Sequence, residues 1–191
     1  MNAIAQAQPL SVVNGIPVDN VRALIGRVAE TPAAGLTAWR VSTAWEGRTR
    51  SRSMTHGFDI GGETVSRAFR VDIDEPIELG GTDLFANPQE HLLAALNACM
   101  TVGFTALCAL NGIEIERLSI VTAGDIDLSG FFGLAADVAP GYERLNTQIT
   151  VKGSATAAEF RKIFEMMLAT SPNVHNIIRP VALDPVLMVD N

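Results

Sequence analysis

Two cysteines on one apolar stretch are the residues most able to do chemistry. Asn87 to Gly112, NPQEHLLAALNACMTVGFTALCALNG, holds both Cys99 and Cys108. A cysteine thiolate is a strong nucleophile, so Cys99, placed just past a polar N-terminus, is a candidate reactive thiol. The competing reading is inert packing, because cysteine is among the most buried residue types. Cys108 reads as a small buried apolar residue. The two cannot bridge within one chain. Nine residues of helix separate them by about 13 Å along the axis, whereas a disulfide needs Cα atoms within about 7 Å.

The stretch itself predicts one long helix. Asn87 is an N-cap, Pro88 fits the first turn, and Glu90 stands three residues after the cap, as in a capping box. Asn111 and Gly112 supply the stop. No charged residue falls between Leu92 and Leu110, 19 residues in all. A helix apolar all round is expected to be buried all round. The run is near the length of a membrane span. However, no basic cluster flanks it, and Asn97, Thr101 and Thr105 form a polar stripe. A central helix of a soluble fold is the expectation, with no membrane partner.

Composition narrows the function classes. The chain has 191 residues, 48% of them apolar, enough for a sizeable core. Its net charge of −7 argues against nucleic-acid binding, which needs basic surface. The one basic cluster is Arg48–Arg52 (RTRSR). Two cysteines do not make a disulfide scaffold. The start, MNAIAQAQPLSVV, has neither the basic nor the continuous apolar region of a signal peptide, so a reducing cytoplasm is expected. His56, His91 and His175 show no metal-ligand spacing, and no CxxC, GxSxG or phosphate-loop pattern occurs. No metal and no cofactor are expected.

Periodicity supplies the other elements. Residues 1–18 read as an arm, and Val18–Glu30 as a short amphipathic helix. Strands are expected at 36–45, 50–60 and 64–73, with Glu46–Gly47 and Gly61–Gly62 as turns. After the long helix come a strand at 113–123 and a Gly-rich acidic loop at 124–142. A strand follows at 143–153, then a helix opened by a capping box at Thr156 and Glu159. Ser171–Pro172 interrupts that helix. A further helical turn at 173–178 and a last strand at 181–189 follow. The pattern is α+β, with a sheet wrapped around two helices. Residues 1–35 are expected as an N-terminal arm and helix, and 36–191 as one domain.

Several motifs resemble a known family. NPQEHLLAALNACM, the Gly112–Ile113 pair after the helix, and Ser171–Pro172 are similar to the OsmC and organic-hydroperoxide-resistance superfamily. DEPIELGGTDLFANPQE and GDIDLSGFFGL resemble an OsmC-like subgroup. The resemblance implies an intertwined homodimer, with antiparallel sheets wrapped around two buried helices. It also implies reduction of organic hydroperoxides. In peroxidase members a helix cysteine attacks the peroxide, and a second cysteine, in a CP dipeptide, resolves the sulfenate as a disulfide. A dihydrolipoyl-type thiol then regenerates the enzyme.

Carried over residue by residue, Cys99 matches the attacking cysteine. Arg48, in WEGR, matches the arginine that holds it as thiolate, with Arg50 and Arg52 as close competitors. Glu90 matches the glutamate of members with an NPxE pattern; where the pattern is NPE, that place falls on Gln89. Nine residues from Cys99, Glu90 faces the opposite side of an ideal helix, so it acts across the dimer interface, holds Arg48, or simply caps the helix. The resolving position holds Ser171, which cannot form a disulfide. The implied chemistry is therefore one-cysteine, with a small external thiol or dithiol as reductant. The rival reading is a non-catalytic scaffold that binds a hydrophobic or thiol-reactive small molecule at the dimer interface.

Overall fold

The computed structural model describes residues 11–190. They fall into two compact units, one up to Ala94 and one from Ala95. Residues 1–10 of the expected arm lie outside the described residues. Residues 11–17 form a small hairpin instead of a patternless arm. Its strands, β1 (Val12–Val13) and β2 (Ile16–Pro17), join at Asn14–Gly15, both with positive φ. An Asn-Gly pair favours such a two-residue turn.

In the first unit, helix α1 (Val18–Glu30) falls where its apolar spacing places it. Strand β3 (Thr37–Trp45) pairs antiparallel with β4 (Ser51–Ile60), from Thr37 opposite Ile60 to Trp45 opposite Ser51. The other edge of β4 carries two short strands, β5 (Glu63–Val65) and β6 (Arg70–Ile73), rather than the single strand expected at 64–73. The reason lies in register. Phe58 pairs with Val65 and Met54 with Arg70, so four steps on β4 face five on its partner. Gly57, at φ +82°, lies within that interval, where a Cβ would stand 2.5 Å from the Val65 carbonyl oxygen.

After β6 the chain turns around Asp74, which is fully buried. Its carboxylate accepts hydrogen bonds from the Thr49 and Thr82 hydroxyls and from the Thr82 and Leu84 amides. A buried charge needs such partners. These bonds fix the loop that leads to helix α2 (Pro88–Leu110).

In the second unit the core is built by α2, by the antiparallel pair β7 (Ile115–Ala123) and β8 (Asn146–Gly153), and by α4 (Ala157–Thr170). A short helix, α3 (Leu128–Phe131), lies in the long connection between the strands. Leu96, Met100, Phe104 and Cys108 recur every four residues on α2 and meet Ile163 and Met167 of α4. The expectation of burial all round is corrected here. Apart from Ala109, the rest of α2 is only partly covered, and Val102 is 67% exposed. Within this unit the strands and α4 supply apolar partners for one face only. By length and composition α2 could cross a membrane, a property it shares with core helices of soluble proteins.

Thr156 and Glu159 form the expected capping box of α4. Helix α5 (Pro172–Ile178) follows at once. The strand expected at 181–189 is not formed. That segment is irregular and exposed, with Leu183, Val186 and Leu187 each near 85%. Pro185 lacks the N–H a ladder needs, and no strand among the described residues pairs with it.

Candidate functional site

Cys99 stands on α2, partly buried, in the fourth turn after the Asn87 cap. Its Sγ lies 3.3 Å from the Ser171 Oγ. Ser171 is only 4% exposed and forms the joint between α4 and α5. Its amide donates to the Met167 carbonyl, closing α4, and its Oγ accepts the Val174 amide at 3.4 Å, opening α5. Pro172 then fits the first position of α5, where no amide donor is required.

A second bond ties the same joint to the same turn of α2. Asn173 donates its side-chain amide to the Ala95 carbonyl at 2.9 Å. In an α-helix that carbonyl also receives the amide of residue 99. Ser171 and Asn173 thus converge on Cys99, one at its sulfur and one at the peptide hydrogen bond that seats it. Ser171 was expected at this place from the Ser-Pro motif. Asn173 was not, since an asparagine after Ser-Pro reads as ordinary turn chemistry.

The second unit also holds a mostly apolar cavity of about 180 Å³. Leu96 and Met100 of α2, Phe164 and Leu168 of α4, and Val174 and Ile177 of α5 line it, with Thr147 and Ile149 of β8. Leu96 and Met100 bracket Cys99 in sequence, and Leu168 and Val174 bracket Ser171. The other thiol is unlike Cys99. Cys108 is fully buried, and that burial pushes its pKa up to about 11. Among the described residues no group of three or more His, Cys, Asp or Glu is placed to hold a metal ion.

The remaining candidates lie in the first unit. Glu90 forms a reciprocal cap with Asn87: the Asn87 amide donates to Glu90 Oε2 and the Glu90 amide to Asn87 Oδ1, both at 2.8 Å. Arg48 sits in the turn between β3 and β4 at φ +52°, where its carbonyl accepts the Trp45 indole N–H. It has no ion pair among the described residues. Its competitors are more engaged. Arg52 pairs with Glu46 and Asp72, each at 3.1 Å. Arg50 donates to the Glu46 carbonyl, while its Nε is buried without a partner.

With the geometry in place, comparison with known proteins gives a consistent answer. A sequence model described as OsmC-like protein matches residues 81–185, more than half of the chain. An OsmC-like protein from Mycoplasma pneumoniae has a similar structure, with a TM-score of 0.58 and 16% identity, over 75% of this chain and 89% of that one. A Psychrobacter arcticus protein named for osmotic stress induction and a detoxification response has a TM-score of 0.54 and 18% identity, over 76% and 90%. An OsmC-like protein of unknown function from Vibrio cholerae has a TM-score of 0.51 and 12% identity, over 74% and 94%. At such identities the likeness concerns the fold. No curated protein sequence matches the chain.

Proposed function

The chain belongs to the OsmC family, and we propose that it reduces organic hydroperoxides with Cys99 as its one redox thiol. The observation that carries this reading is the Cys99 thiol itself, free and only partly buried on α2, in contrast to the fully buried Cys108. The thiolate attacks the terminal peroxide oxygen, forming an S–O bond as the O–O bond breaks. The alkoxide leaves with the electron pair and takes a proton from solvent. Sulfur is thereby oxidised to the sulfenic acid. An external low-molecular-weight thiol then forms a mixed disulfide with Cys99, releasing water. A second thiol restores the thiolate and leaves as the disulfide of the reductant.

An apolar cavity lined by Leu96 and Met100 of α2 and by Leu168 and Val174, sequence neighbours of Cys99 and Ser171, suits the carbon skeleton of an organic hydroperoxide better than hydrogen peroxide. Arg48, with no carboxylate partner among the described residues, is assigned to the thiolate, and Glu90 to holding the start of α2 or the arginine. The working unit is taken to be a cytoplasmic homodimer. Among the described residues strand β3 is the edge of its sheet and exposes Trp39, Val41 and Trp45, a surface that a second copy would cover.

A second reading keeps the scaffold without the chemistry: a binding protein for a hydrophobic or thiol-reactive small molecule. The apolar cavity and the serine at position 171 favour it. Steady-state consumption of cumene hydroperoxide with a dithiol reductant separates the two. Turnover that is lost in Cys99→Ser supports the enzyme. Binding without turnover supports the scaffold.

A further inference from the structure

We infer that Ser171 is a catalytic residue, donating its hydroxyl hydrogen to the Cys99 sulfur, and that Asn173 is a positioning residue that seats the turn carrying Cys99. The inference rests on Cys99 being the reactive thiol.

The contact itself leaves either atom able to donate, and the direction is fixed once Cys99 is a thiolate, which has no hydrogen to give. A serine hydroxyl has one hydrogen and two lone pairs. The Val174 amide takes one lone pair. Among the described residues the remaining side-chain contact of Ser171 is the Cys99 sulfur, 3.3 Å away. A neutral thiol donates only weakly, whereas a thiolate is a charged acceptor, for which an O–H donor is worth about twice a neutral bond. The pair is therefore stronger when Cys99 is ionised. Ser171 is 4% exposed, so little water competes for that hydrogen.

Asn173 acts one bond further away. Its amide meets the Ala95 carbonyl, which is shared with the backbone amide of residue 99. This fixes the start of α5 against one turn of α2, and with it the distance between the hydroxyl and the sulfur. Ser171, Pro172 and Asn173 then form one clamp. Serine closes α4, opens α5 and serves the thiol, proline presets the turn, and asparagine anchors it.

The expected size is moderate. A hydrogen bond to a charged acceptor is worth more than a neutral one, so loss of the donor is expected to slow Cys99 by about three- to tenfold.

The experiment measures the rate at which Cys99 reacts with cumene hydroperoxide and, separately, with iodoacetamide. It compares wild type, Ser171→Ala, Ser171→Thr and Asn173→Ala, with the modified peptide identified by mass. Ser171→Ala slows both reactions, and Ser171→Thr, which keeps the hydroxyl, restores them. Asn173→Ala, which lets the Ser171 hydroxyl drift from the sulfur, slows both by the same route as Ser171→Ala. Should Ser171→Ala fail to fold, Ser171→Gly takes its place, since glycine caps a helix nearly as well as serine.

A merely structural role gives the opposite sign, because loosening the joint uncovers a partly buried thiol and speeds its alkylation. Ser171→Ala reacting as fast as wild type or faster, or Ser171→Thr as slow as Ser171→Ala, overturns the inference. If wild type ignores the hydroperoxide while the iodoacetamide order holds, the peroxidase reading fails and the role of Ser171 stands.

Discussion

The Cys99 sulfur lies 3.3 Å from the Ser171 hydroxyl, where a second thiol would have to stand to close a disulfide. The other cysteine, Cys108, is nine residues along the same helix, buried in the core beside Phe104 and Met167. Oxidation by a slight excess of hydroperoxide therefore yields a chain heavier by one oxygen, not lighter by two hydrogens. Intact mass under non-reducing conditions, with no added thiol, checks this. Adding a small thiol converts the product to a mixed disulfide at Cys99.

The two thiols differ in reactivity for a stated reason. Burial alone pushes the Cys108 pKa up to about 11 and leaves its sulfur without solvent access. The native protein at pH 8 is predicted to take one equivalent of iodoacetamide, at Cys99. After unfolding in guanidinium chloride it takes two. Peptide mapping distinguishes the positions.

Asp74 gives the first unit an acid dependence. The Thr82 hydroxyl holds its carboxyl well below the usual carboxylate range. Burial pulls the other way, and bonds from Glu75, Thr49 and the Thr82 amide add to the lowering. A carboxyl lowered in the folded state stabilises it above the unfolded value, about 4, and this contribution is lost as pH falls toward the folded value. Asp74→Asn is expected to lower the melting temperature by several degrees at pH 7. The gap to wild type narrows below about pH 4. Thermal melts from pH 3 to 7 read both effects.

Packing of α2 on α4 sets the stability of the second unit. Met167 is fully buried among Phe104, Cys108 and Ile163, so Met167→Ala is expected to cost about 2–5 kcal/mol. A Cβ at Gly103 would stand 3.2 Å from Met167 Cγ. A flexible methionine yields to one carbon but not to four. Gly103→Leu is expected to cost about 1–3 kcal/mol, and Gly103→Ala much less. Urea denaturation measures each.

Legibility in the sequence followed the range of the forces. Local signals were readable: the apolar spacing of α1, the Asn87–Glu90 cap, and the capping box at Thr156 and Glu159 all appear where expected. The Asn14–Gly15 turn was equally local but stood outside any strong periodicity. The division of residues 63–73 into β5 and β6 depends on one residue of register against β4, which no single strand reveals. The apolar residues after Pro180 read as a strand because periodicity reports apolar spacing, not whether an edge is available to pair with. At the site, Cys99 and Ser171 came from motif, whereas Asn173 needed the approach of α5 to Ala95. Arg52 meets Glu46 across the β3–β4 turn and Asp72 through the β4–β6 pairing, contacts that no local pattern of the RTRSR run reveals.

The most direct test of the account is intact-protein mass after brief exposure to a slight excess of cumene hydroperoxide with a sulfenic-acid trap, for wild type and Cys99→Ser. The account predicts one rapid trap adduct on wild type, located at Cys99, and none on the variant. With the trap omitted, a dithiol reverses the oxidation. No adduct over minutes, or an adduct that persists in Cys99→Ser, would contradict it.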